Sequence, residues 1–401
     1  MSKKNRKWLV FTIMCLAYMP GSYAQYQLSV YASELIQSFG LTTSQFSSLF
    51  TAPMIVAIFL SFVGGMISDK VGSKKVINIS FVIAGIGMIG RVFANSYMPF
   101  FLCMALTGFS NMFVNINASK ITASWFEEEK LGILMGIFAF CGQLPGAFAT
   151  ATTAVLFDSR TSAFIASAIF CISVFVLWLL FVKDKPEDTM EEREKIDQEN
   201  QPSIGDSLKV VFSNKGIWLV SICIMMALGS TVTLSTFMPM ALQTMYGIDM
   251  KVCGTIASML TLGNCIGSIT GPIVFSKIKN VKVFVSGAAV LSFAGIIMCW
   301  RFPSIFVLHI LVLYTGIMLG ASMPIFLSAP VLLEGLGTKY AGSAAGVIST
   351  LQLLGAVLIP TYILTPIAGE NYSLLFMLAS ICMVIMFLCG LLLPQFGNNQ
   401  K

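Results

Sequence analysis

The apolar pattern of this chain is written twice. Lys7-Trp8-Leu9-Val10 opens one long hydrophobic run, and Ile217-Trp218-Leu219-Val220 opens another about 210 positions later. Further along, Gly40-Leu41 is answered by Gly247-Ile248, and Lys130-Leu131-Gly132 with Gly136 by Lys339-Tyr340-Ala341-Gly342 with Gly346. A half-length repeat made of such runs points to two copies of one membrane bundle. In proteins of this kind a solute is held at the seam between the copies.

Composition agrees. Of the 401 residues, 56% are hydrophobic and only 10% charged, whereas a soluble chain of this size needs a charged exterior. Apolar runs long enough to cross a bilayer as helices, about 18 residues or more, recur throughout. We read twelve: 8–36, 46–68, 76–94, 97–123, 131–157, 162–183, 217–244, 253–275, 282–300, 303–333, 341–367 and 373–393. The expected fold is an all-α membrane protein with twelve transmembrane helices in two pseudo-symmetric six-helix bundles, residues 1–183 and 216–401, joined by a polar cytoplasmic linker over 184–215. Within that linker Ile204, Leu208, Val211 and Phe212 fall at helical spacing, as in a short helix on the membrane surface or in the start of the next span. The basic start, with an apolar run and Ser22-Tyr23-Ala24, resembles a secretory signal. The repeat argues against cleavage, because 8–36 corresponds to 217–244.

Charge placement sets the expected orientation. With the N-terminus inside, 20 of the 24 basic residues fall on the inner side and only Arg91, Arg160, Lys251 and Arg301 on the outer. The net charge of +6 is therefore a topology signal and not a nucleic-acid footprint. Both termini are expected in the cytoplasm and the protein in the plasma (inner) membrane, working as a monomer with the lipid bilayer and a small-molecule substrate as its partners. The ten cysteines are scattered through apolar segments without a CxxC, and His309 is the one histidine. No metal, cofactor or disulfide framework is expected.

Gly85-Ile86-Gly87-Met88-Ile89-Gly90 formally fits GxGxxG, but it lies inside an apolar run and lacks the acidic residue about 20 positions on that a dinucleotide site requires. Its glycines read as helix-packing surfaces, as do Gly263, Gly267 and Gly271, Gly132 and Gly136, Gly316 and Gly320, and Gly342 and Gly346. No P-loop, nucleophile elbow or HExxH occurs, and an enzyme is not expected.

Gly65-Met66-Ile67-Ser68-Asp69-Lys70-Val71-Gly72-Ser73-Lys74-Lys75 sits in the tight loop after the second span. Asp69 lies near a helix end, and Gly72 permits a sharp turn. With the twelve spans and the repeat, this stretch resembles the signature loop of the major facilitator superfamily. The resemblance implies alternating access, with Gly65, Asp69, Lys70, Gly72 and Lys74 as a cytoplasmic latch. The second half keeps a degraded copy, with Pro272 and Ser276 at the glycine and aspartate positions and Lys277 and Lys282 retained. More locally, Ser119-Lys120-Ile121, Trp125-Phe126 and Gly142-Gln143-Leu144 resemble the feline leukaemia virus receptor-related transporters, facilitators of choline, ethanolamine and haem. That resemblance implies substrate-lining roles for Gln143 and Gln352. It fails at Gln25 and Val232, where that family places aromatic residues, so a quaternary-amine cage is not implied.

A midplane layer follows from helix geometry. At about 1.5 Å per residue, span midpoints fall near Ser22, Ser110, Leu144, Ser230, Asn264, Gly316 and Leu353. Polar side chains near that layer are candidate substrate contacts: Tyr23, Gln27 and Tyr31 on one helical face, Asn111 and Asn115 on another, and Gln143, Thr233, Asn264, Tyr314 and Gln352. Each is costly against lipid, although amides and hydroxyls also bind helices together. Gln143 and Gln352 are expected to face each other across a central cavity. No Asp, Glu, Lys or Arg lies at a span centre. Glu34 and Arg91 sit near outer ends and Lys120 near an inner end, and the arginine of many proton-coupled superfamily members would fall at Met104, before Gly108. The pattern points to a secondary transporter of a small neutral or zwitterionic organic solute, facilitative or exchanging. The alternatives are an organic-anion carrier using Lys120 or Arg91, a proton-coupled carrier, and a non-transporting membrane sensor.

Overall fold

The computed structural model describes residues 3–126, 128–182, 204–302, 304–333 and 336–395. They form two compact units, Met1–Lys195 and Ile196–Lys401, and helices alone build them. The first unit contains α1 (Lys3–Ala17), α2 (Met19–Val30), α3 (Ala32–Phe39), α4 (Thr43–Val71), α5 (Ser73–Phe93), α6 (Tyr97–Trp125), α7 (Glu128–Leu156) and α8 (Arg160–Phe181). The second contains α9 (Ile204–Ser213), α10 (Lys215–Tyr246), α11 (Met250–Ile278), α12 (Val281–Met298), α13 (Ile305–Ala321), α14 (Met323–Leu332), α15 (Gly337–Leu358), a π-helical segment (Ile359–Leu364), α16 (Thr365–Ala368) and α17 (Tyr372–Leu392).

Among the described residues, 11 helical stretches are long and apolar enough to cross a membrane. The expected span over 8–36 is not one of them, because it is interrupted at Tyr18 and again at Tyr31. Pro20 in the first turn of α2 accounts for the first interruption. Its ring displaces the carbonyl four residues back and it has no N–H to donate. Pro324 sits in the first turn of α14 beside the break at Ser322, and Pro360 opens the π-helical segment. Non-helical backbone survives inside a membrane protein only where neighbours satisfy it.

The repeat is visible in the caps. α3 ends on Gly40 at φ +62° and α10 on Gly247 at φ +64°, the left-handed conformation that favours glycine. Each cap is followed by a helix start. Thr42 and Gln45 form a reciprocal capping box on α4, and Asp249 accepts from the Lys251 N–H at the head of α11. The short helix α9 is separate from α10, with Asn214 capping the latter. Phe212 stacks on Trp218 at 5.7 Å, and the Trp218 indole donates to the Phe212 carbonyl.

Glycines set the tightest packing. In the second unit Gly263, Gly267 and Gly271 of α11 lie against the backbone of α13, whose Gly316 and Gly320 lie against the backbone of α11 in return. Added methyl groups would overlap carbonyl oxygens on both sides. In the first unit Gly87 and Gly90 meet α6 at Cys103, and Gly108 meets the backbone of Pro53. The GxGxxG stretch is thus continuous helix with two of its glycines against a neighbour. A Cβ at Gly136 or Gly346 would touch nothing within 4 Å.

Candidate functional site

In the first unit the span midpoints meet. The Ser22 hydroxyl and the Asn111 amide are hydrogen-bonded at 2.9 Å, which joins α2 to α6. The Tyr18 ring lies over Gly142 of α7 and stacks on Phe138 at 4.7 Å. Gly142 precedes Gln143, which is half-buried. Asn115, one turn beyond Asn111, is exposed. An exposed amide in the middle of an apolar span is costly unless it faces water or protein.

The face of α2 carrying Tyr23 and Gln27, with Tyr31 at the break just past its end, points toward α8. Tyr23 meets Phe170 edge-on at 6.2 Å. Gln27 is 0% exposed and donates to the Ala163 carbonyl at 3.1 Å. The Tyr31 hydroxyl donates to the Ser159 carbonyl at 3.4 Å and its ring meets Phe164. The opposite face carries Ser22, Gln25 and Tyr26, which sequence reasoning did not propose as contacts. Gln25 donates to the Phe50 carbonyl of α4 at 2.8 Å, and the Tyr26 ring packs on Phe50 and against Gly146 of α7. A second unproposed amide, Asn117, ties α6 to α4 by donating to the Ser68 hydroxyl at 3.0 Å.

Arg91 carries the largest surprise. It sits at the end of α5, yet it is 1% exposed and is the one charged side chain buried among the described residues. Its guanidinium reaches the Ala24 carbonyl at 2.8 Å, two residues past Ser22. It also donates to Gln27 Oε1 at 2.8 Å and to the Ser167 hydroxyl of α8, and stacks over the Phe164 ring at 4.3 Å. All these acceptors are neutral. The sequence signal was present, since an arginine in an apolar span must find partners inside, but the partners themselves were not legible.

In the second unit Asn264 and Tyr314 are half-buried in the packed faces of α11 and α13. The Asn264 amide oxygen lies against Gly320 and the Tyr314 ring against Gly295 of α12. Thr233 is buried and returns its hydroxyl to the Gly229 carbonyl at 2.8 Å. Gln352 is half-buried on α15, seven residues before the helix widens into the π-helical segment at Ile359. π-helical turns frequently mark functional positions.

At the loop after α4, Gly72 takes φ +93° and its N–H caps the Ser68 carbonyl. This is the sharp turn the motif required. Lys74 is half-buried, while the side-chain environments of Gly65, Asp69 and Lys70 lie outside the described residues. Glu34 pairs with Arg160 at 3.5 Å, and Arg160 also donates to Ser38 and stacks near Phe39. His309 bonds Thr255 and the Ile305 carbonyl. Among the described residues no cluster could hold a metal, and all ten cysteines are free.

Two units of long apolar helices, one opened by a broken span with amides gathered at its bend, define a polytopic membrane carrier. The chain belongs to the Major Facilitator Superfamily, whose family model matches residues 10–360. It is 23% identical over 364 residues to the probable sulfoacetate transporter SauU of Cupriavidus necator, covering 85% of this chain and 83% of that one. It is 21% identical over 309 residues to the galacturonate transporter of Dickeya chrysanthemi, covering 74% and 90%. Among solved structures, that of a variant of the nucleoside transporter NupG matches with a TM-score of 0.77 at 15% identity, covering 96% of this chain and 99% of that one. The protein is therefore an integral, multi-pass member of a transporter family, a class that is not enzymatic.

Proposed function

We propose that this transporter moves a small organic solute, neutral or zwitterionic, by alternating access, as a facilitator or exchanger. One observation carries the reading. The single buried charge among the described residues, Arg91, is taken up by neutral groups of its own unit. The mid-span layer is left with amides and hydroxyls, which offer both donors and acceptors to an uncharged or internally balanced solute. In this reading each unit contributes one principal amide, Gln143 from α7 and Gln352 from α15. Asn115 of α6 supports the first unit, and Asn264 and Tyr314 support the second. Asp69, with Gly65, Lys70, Gly72 and Lys74, stabilises one face of the cycle from the loop after α4. The protein acts as a monomer in the plasma membrane with both termini cytoplasmic, a placement supported by the 20-to-4 division of its 24 basic residues.

The names of two relatives favour a second reading, an organic acid as cargo. That cargo would require a cation, and exposed Lys120 on α6 is the candidate. A thermal-shift screen of purified protein against neutral, zwitterionic and acidic solutes decides between the two. A hit from the first two classes, with affinity lowered about 2- to 13-fold by Gln143→Ala or Gln352→Ala and melting temperature retained, supports the first reading. Stabilisation by uronates or sulfonates alone, abolished by Lys120→Gln, replaces it with the second. Lost stability with intact affinity in both glutamine variants removes the glutamines from the site.

A further inference from the structure

The first span does not simply kink at Pro20; another helix repairs it. In a continuous helix the Ser22 N–H would donate to the Tyr18 carbonyl. Here the Asn111 side chain of α6 stands between those two groups. With its amide turned so that each end meets a complementary partner, Nδ2 donates to the Tyr18 carbonyl at 3.1 Å, while Oδ1 accepts from the Ser22 N–H at 3.0 Å and from the Ser22 hydroxyl at 2.9 Å. The Tyr18 N–H turns back to the Cys15 carbonyl at 3.3 Å. Space for the insertion comes from Gly21, where a Cβ would lie 2.5 Å from the Asn111 amide. A primary amide presents a donor and an acceptor side by side, the pair needed to bridge an opened peptide hydrogen bond.

We propose that Asn111 is a positioning residue. Its amide splints the discontinuity between α1 and α2, and through the Tyr18 ring packed on Gly142 and Phe138 it fixes the turn of α7 that carries Gln143. It acts on the solute through its neighbours and not by contact. The broken bond gives the span a second arrangement. When the amide withdraws, Ser22 and Tyr18 can bond each other and the bend relaxes. A two-state element of this kind is what a carrier needs in order to change shape. The importance of Gln143 to transport rests on the function proposed above; the splint itself does not.

The test uses purified full-length protein without any solute, so it stands or falls independently of that function. Hydrogen exchange is followed in peptides covering residues 18–30 and 138–146, for wild type, Asn111→Ala, Asn111→Asp, Gly21→Ala and the Gly21→Ala/Asn111→Ala double variant. One interhelical hydrogen bond in a membrane protein is worth about a 3- to 18-fold change in an opening equilibrium. Exchange in both peptides should rise by that factor in Asn111→Ala while the α11 and α13 peptides stay unchanged. Asn111→Asp keeps the acceptor but loses the donor to Tyr18, and should also exchange faster. Gly21→Ala expels the amide and should reproduce Asn111→Ala, and the double variant should be no faster than either single one, because the clash and the splint are the same contact. Unchanged exchange in the 18–30 peptide would overturn the proposal. So would a uniform rise across all spans, or additive effects of the two substitutions. Should Asn111→Ala fail to fold, Gly21→Ala and Asn111→Asp carry the comparison.

Discussion

Replacing Arg91 by lysine should harm this protein more than replacing it by methionine. The guanidinium uses its fork. One arm bonds the Ala24 carbonyl, the other Gln27 Oε1 and the Ser167 hydroxyl, and the plane lies on Phe164. Among the described residues no carboxylate shares the cage, so the cation is held by neutral dipoles and the Phe164 ring. Lysine keeps the buried charge but is a point donor that cannot span α2 and α8 together. It forfeits about two charge-assisted hydrogen bonds, about 3–6 kcal/mol, with the desolvation cost of the ion unchanged. Methionine loses the same bonds, but the several kcal/mol that the buried ion costs vanish with it. What remains unsatisfied is mainly Gln27 Oε1, at about 1–3 kcal/mol, since Ser167 retains its bond to the Phe164 carbonyl at 2.8 Å. The expected order of melting temperature is wild type, Arg91→Met, Arg91→Lys, measured on purified protein in one detergent with size-exclusion profiles as the folding control. A lysine variant as stable as wild type beside a collapsed methionine variant would show that the charge matters and the fork does not. A methionine variant with wild-type stability that has lost binding of an acidic solute would place Arg91 in the cargo site.

Three further outcomes are open to measurement. Gly267→Val drives a side chain into the Ile317 carbonyl of α13 and should cost about 1–3 kcal/mol or more; Gly287→Ala, which meets nothing within 4 Å, should leave the melting temperature where it was. Glu34→Gln breaks a half-exposed pair with Arg160 and should change stability by less than about 1 kcal/mol; if a proton gradient drives accumulation in liposomes and this variant abolishes it, Glu34 is a coupling carboxylate after all. A cysteine placed at Ser203 should resist a membrane-impermeant thiol reagent added outside intact cells, and ready labelling would reverse the orientation drawn from the basic residues.

Much of the fold was legible before any coordinates. Apart from the broken stretch over 8–36, the expected spans appear where about 18 apolar residues run together, because length and hydropathy decide whether a helix can cross a bilayer. Gly40 and Gly247, matched in the repeat, both close helices in the left-handed conformation that favours glycine. The Gly72 turn, the helical packing of the GxGxxG stretch and membership of the superfamily were equally readable. The azimuth of each helix was not. Tyr23, Gln27 and Tyr31 share a face by periodicity, but periodicity fixes which residues are neighbours and not what they face. That face turns to α8, while Ser22, Gln25 and Tyr26 take the other side. Asn111 shows the same limit more sharply. Its chemistry and depth suit a substrate contact, yet its amide is spent on the break between α1 and α2, where its partner Ser22 lies 89 positions away in sequence. The broken span created the unsatisfied groups locally, through Pro20. Which distant side chain would satisfy them depended on how α6 and α5 came to lie beside α2, and polar groups in an apolar medium are captured by whatever partner packing brings within about 3 Å.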